Sequence, residues 1–76
     1  MKSVPALNAR QVIKALKRLG FEEDRQKGGH LILYNPHTKR RTVIPVHSGH
    51  TIKKPLLKAI IEQDAGVTIE EFLENI

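Results

Sequence analysis

Apolar residues recur along this chain with two periods, switching from helical to strand spacing and back. Val12, Ile13, Leu16 and Leu19 fall at helical spacing and form one apolar face, while Arg10, Lys14, Lys17 and Arg18 take the rest of the circumference. Asn8 followed three residues later by Gln11 is a capping-box pattern, Gly20 suits the C′ position, and Phe21 can fold back onto the last turn. These signals predict a helix over about 9–19. The stretch from Phe21 to Lys27 is too short and too polar for another helix, and reads as an edge strand near 22–27 ending at Gly28-Gly29. From His30 to Asn35 the period drops to two, with Leu31 and Leu33 on one side and His30, Ile32 and Tyr34 on the other. Asn35-Pro36-His37-Thr38-Lys39 has turn chemistry, because proline fixes φ and asparagine favours turn initiation. A third strand is predicted over 41–46, with Thr42, Ile44 and Val46 on one face and Arg41, Val43 and Pro45 on the other. Pro45 cannot donate a ladder hydrogen bond, so it belongs late in the strand or on an unpaired side.

His47-Ser48-Gly49-His50-Thr51 reads as a loop. Pro55 fits the first turn of a helix over about 54–64 whose apolar face is Leu56, Leu57, Ile60 and Ile61, with Gly66 as terminator. Thr68-Ile69-Glu70-Glu71 is a second capping box and opens a short last helix carrying Ile69, Phe72, Leu73 and Ile76. The order α-β-β-β-α predicts an α+β fold, a three-stranded antiparallel sheet with helices on one face and a short C-terminal helix. The other sheet face is then open. Alternation alone does not say which side of the second strand is buried, since both sides hold apolar residues; if Leu31 and Leu33 go in, His30 and Tyr34 look out.

The chain has 76 residues, which predicts one domain spanning 1–76. A hydrophobic fraction of 39% beside 28% charged residues argues against a disordered tail. Absence of cysteine removes disulfides, thiolate metal sites and cysteine nucleophiles, and fits a reducing compartment. The longest apolar run, Leu31-Ile32-Leu33-Tyr34, is far short of the roughly 20 residues that span a bilayer, and Met1 to Gln11 hold no apolar signal-like core. The expectation is a cytoplasmic protein without membrane contact. Charge is unevenly spread: residues 25–61 carry eight basic side chains and no acid, whereas residues 62–76 carry five acids and no base. Such a centre attracts polyanions, of which nucleic acid is the commonest in a cytoplasm; solvated basic faces without a ligand are also common, but the charge favours nucleic acid.

His30 follows two glycines, which allow a ligand close to the backbone, and imidazole is the side chain that most readily moves protons near neutral pH. RNA supplies its own nucleophile, the ribose 2′-OH. One histidine beside a cationic patch can therefore suffice for cleavage, with lysine and arginine offsetting the charge of the phosphorane. The alternative is a structural histidine at a strand start. His37, His47 and His50 have no cysteine or carboxylate at ligand spacing, so no metal site is predicted. Ser48 lacks a paired acid, and Gly28-Gly29 lacks the ending of a phosphate loop. The basic residues of the first helix read as a solvated face.

Phe21-Glu22, Arg25-Gln26-Lys27-Gly28-Gly29-His30, Tyr34 and Arg41-Thr42-Val43-Ile44-Pro45-Val46-His47-Ser48-Gly49 together resemble the HicA (YcfA-like) mRNA interferase toxins, as does Ile52-Lys53-Lys54-Pro55-Leu56-Leu57-Lys58-Ala59-Ile60. The resemblance covers nearly the whole chain, and a Gly-x-His before a strand combined with a Pro-Val-His-x-Gly loop is more specific than either half. It implies a fold like that of double-stranded-RNA-binding domains, metal-independent cleavage of mRNA by the histidine at position 30, and a HicB antitoxin that covers the active face in a toxin–antitoxin hetero-oligomer. Gly29 departs from the serine often found before that histidine, which implies lower activity if the hydroxyl orients RNA or the imidazole.

The resulting expectation is an endoribonuclease toxin without cofactor, with His30 as general acid/base. Lys27, Gly28, Gly29, Lys39, Arg40, Lys53 and Lys54 are the expected RNA contacts. A non-catalytic RNA-binding module on the same fold is the alternative, and a purely protein-binding domain a third reading.

Overall fold

The computed structural model describes residues 4–46 and 51–76, so the His47-Ser48-Gly49-His50 segment lies outside the described residues. Helix α1 (Ala9–Arg18) begins where predicted because both halves of the capping box form: Gln11 N donates to Asn8 Oδ1 at 2.9 Å, and Asn8 N donates to Gln11 Oε1 at 3.0 Å. It ends in a Schellman turn. Gly20, at φ +106°, donates to the Lys17 carbonyl, and Phe21 N donates to the Leu16 carbonyl, which drops the Phe21 ring into the core.

Three antiparallel strands follow in spatial order β1-β2-β3: β1 (Glu22–Lys27), β2 (His30–Asn35) and β3 (Arg40–Pro45). Gly28 and Gly29 form a two-residue hairpin loop with Lys27 opposite His30, and Gly28 takes the positive φ of +60° that such a turn requires. The whole of β1 is exposed. Its succession of charges protects an unpaired edge from pairing with another chain. Asp24 is an extra residue, a bulge between Glu23 and Arg25, that shifts the register against β2. At the other edge Pro45 faces His30 across a pair flanked by the bond from Val46 N to the Gly29 carbonyl at 2.7 Å. In that geometry the missing N–H of Pro45 points away from β2, so the proline breaks no ladder bond.

The ambiguity of β2 is settled by its neighbours. Leu31 and Leu33 are buried with Ile44 of β3 against Val12, Ala15 and Leu16 of α1. Helix α2 (Lys54–Ala59), with Pro55 in its first turn, adds Leu57 to the same core. The run predicted as one helix over 54–64 has two geometries: α2 passes into a π-helical turn over Ile60–Asp64, where Ala65 N donates to the Ile60 carbonyl. That turn is gripped by β3, Thr42 Oγ1 donating to Asp64 Oδ2 at 2.8 Å and Arg40 donating to the Gln63 carbonyl at 3.1 Å. Gly66, at φ +73°, ends it as predicted. Helix α3 (Ile69–Leu73) is capped by Thr68 and inserts Phe72, fully buried, beneath α1 and the π-turn. The order is α-β-β-β-α with helices on one sheet face and the other face open.

Candidate functional site on the open sheet face

Period-two alternation places His30, Ile32 and Tyr34 of β2 on the open face, and the register sets Pro45, Val43 and Arg41 of β3 opposite them. On β1 the partners are Lys27, Arg25 and Glu22. His30 is exposed at one end of this face. Among the described residues no hydrogen bond holds its ring. Lys27 on one side and Pro45 on the other are its cross-strand neighbours.

The expected RNA contacts divide into two groups. Lys27, Gly28 and Gly29 are contiguous with His30 across the hairpin. Lys53 and Lys54 belong to the same end of the molecule: Thr51 bridges to Asn8, Ile52 N donates to the Leu7 carbonyl, and Ala9 lines a groove with Val46, which itself bonds to Gly29. Lys39, in the β2–β3 turn, and Arg40, the first residue of β3, lie at the opposite end, about 17 Å from His30 at ~3.3 Å per strand residue. Arg40 is opposite Asn35, on the helix side of the sheet, and its guanidinium lies over Gly66 on the way to the Gln63 carbonyl. It braces the fold rather than the open face.

Sequence reasoning missed three features of this face. Arg41 lies over the Tyr34 ring, its guanidinium carbon 5.3 Å from the ring centroid. Tyr34 and Arg41 are a non-hydrogen-bonded cross-strand pair, the kind that brings side chains closest, which is why the cation reaches the ring. Asp24, at the bulge in β1, stands 3.9 Å from Arg41. Glu22 and Asp24 therefore place acids at the Tyr34 end of the face, and leave Lys27 beside His30 at the other. The signal for Arg41 and Tyr34 was present in their spacing, because each sits an even number of residues from the apolar or glycine position that fixes its face. The signal for Asp24 was weaker, because a uniformly polar strand offers no apolar position to fix its faces.

The family model of the HicA toxins of bacterial toxin–antitoxin systems matches residues 9–67, from the first turn of α1 through Gly66 and into Val67. The chain belongs to that family. It is a toxin of a toxin–antitoxin system, and membership implies an antitoxin partner. No curated protein matches the chain. Among the described residues no helix is long and apolar enough to cross a membrane.

Proposed function

We propose that this toxin is an endoribonuclease that cuts mRNA on the open face of its sheet, with His30 as the group that moves the proton. The observation that carries the reading is the position of His30: exposed, free of any structural hydrogen bond among the described residues, and flanked by Lys27 and the Gly28-Gly29 turn. The imidazole takes the proton of a ribose 2′-OH, the oxygen attacks the adjacent phosphorus, and the 5′-oxygen leaves with a proton from water, to which the imidazolium afterwards returns the one it took. The strand ends in a 2′,3′-cyclic phosphate and a 5′-hydroxyl. Lys27, Lys53 and Lys54 neutralise charge building on the phosphorane, the two glycines let the backbone approach, and Lys39 serves as an outlying contact. No cofactor enters this scheme. The partner is a HicB-like antitoxin covering the same face, and the site of action is the cytoplasm, where mRNA is found.

Cleavage of a labelled RNA by the pure protein in EDTA tests the proposal. His30→Ala should lose at least about 10²-fold in rate, the usual contribution of general acid–base catalysis. Its fold should persist, because the exposed side chain fills no part of the core. A His30→Ala protein that cuts at the parental rate refutes the assignment. One observation favours a second reading, a binding module without catalysis: among the described residues His30 has only Lys27 and Pro45 beside it across the strands, with no second acid or base. A parent protein that binds RNA and never cuts it would establish that reading.

A further inference from the structure

Between His30 and the Tyr34–Arg41 pair the open face is apolar. Ile32 is half-buried, Val43 is 43% exposed, and the two are cross-strand partners. An A-form duplex presents ribose hydroxyls and phosphates, which gain nothing from such a floor, whereas the splayed bases of a single strand do. The far end of the floor is an aromatic ring carrying a guanidinium, and both groups are platforms on which bases stack. Asp24 stands 3.9 Å from the guanidinium, a solvent-exposed ion pair that favours this placement of Arg41. Arg25, opposite Ile32, adds a cation beside the floor for the strand's backbone.

We propose that Tyr34 and Arg41 form a stacking subsite for one unpaired nucleotide, and that this subsite sets where an RNA strand lies relative to His30. Tyr34 is four residues along β2 from His30, about 13 Å at ~3.3 Å per residue. The stacked base therefore belongs to a nucleotide removed along the strand from the phosphodiester beside the imidazole. Its identity need not be read by hydrogen bonds, since every base has a π-face; the subsite requires an unstacked base rather than a given sequence. The binding half stands on the geometry alone, and the positioning half rests on the nuclease reading.

Tyr34 is the chain's single tyrosine, so its ring resonances are unambiguous. The test is NMR of isotope-labelled full-length His30→Ala protein, which keeps the strand intact, titrated with a short unstructured RNA and with the same strand annealed to its complement. The single strand should move the Tyr34 ring signals upfield through the ring current of the stacked base, and the duplex should leave them in place. Tyr34→Ala and Arg41→Ala should weaken single-strand binding by about 5- to 150-fold, the range of one lost base stack, while Tyr34→Phe retains it. Amide spectra of each variant verify the fold. In the otherwise unaltered protein, an abasic nucleotide moved along a cleavable strand should shift or slow cutting at one offset. Ring signals unmoved at saturation, or Tyr34→Ala binding at parental affinity, overturns the subsite even if RNA is cut. Ring signals that move while His30→Ala cuts at the parental rate overturn the role given to His30, and ring signals that move while the parent protein never cuts overturn the nuclease reading; both leave the subsite standing.

Discussion

Asn35→Ala probes what keeps the open face in register. Asn35 ends β2, is only 4% exposed, and belongs to the helix side of the sheet. Its Nδ2 donates to the Leu19 carbonyl at 3.3 Å, while its Oδ1 accepts from His37 N at 2.9 Å and Thr38 N at 3.3 Å. One side chain thus ties the end of α1 to the turn that aligns β3 with β2. Each such bond is worth about 1 kcal/mol net, so the gross loss is about 3 kcal/mol. The amides of His37 and Thr38 belong to exposed residues and recover water, whereas the half-buried Leu19 carbonyl recovers less. A net loss of about 2–3 kcal/mol follows, which for a domain of this size lowers the melting temperature by about 10–20 °C. Circular-dichroism melts and urea titrations measure it. Gly20→Ala is the companion: at φ +106° a Cβ is strained, and it would stand 3.2 Å from Asn35 Nδ2. The two substitutions should therefore couple, Gly20→Ala costing less in the Asn35→Ala background than in the parent. An Asn35→Ala protein that melts like the parent, with additive behaviour against Gly20→Ala, refutes the account.

Three further outcomes are expected. Thr42→Val preserves shape but leaves Asp64 Oδ2 without its 2.8 Å donor, and should cost about 1–2 kcal/mol in urea titrations while leaving RNA affinity at the parental value. RNA binding should weaken with salt at a log–log slope of about −0.7 for each phosphate contacted on a single strand. Replacing Lys53 and Lys54 should lower that slope and weaken binding of all sequences alike, while Arg40→Ala should act mainly on stability; filter binding across a salt series measures both. The antitoxin should crosslink to positions on the open sheet face around His30, away from the acidic segment 62–76, since opposite charge steers docking; crosslinks confined to α3 would contradict this.

The elements of this protein were legible in its sequence because their signals are local. The Asn8–Gln11 box, the Gly20-Phe21 ending, the Gly28-Gly29 hairpin and the Asn35-Pro36 turn act within a few residues of themselves, and they appear where the spacing put them. His30 was readable as a candidate for the same reason: glycines before a period-two run mark a strand start wherever they occur. What lay beyond the sequence depends on residues meeting from distant parts of the chain. Which side of β2 is buried was decided by Val12, Leu16 and Leu57 arriving from two helices. Arg40, read as an RNA contact from its charge, is drawn to the Gln63 carbonyl 23 positions away. The passage of α2 into a π-turn accompanies the grip of β3 on Gln63 and Asp64, and no helix-propensity signal within 54–64 encodes it. The Tyr34–Arg41–Asp24 cluster required the cross-strand register that brings residues of all three strands together on one face. Periodicity specifies the faces of each element, but only the packing of helices against the sheet chooses which face becomes core and which is left to meet a ligand.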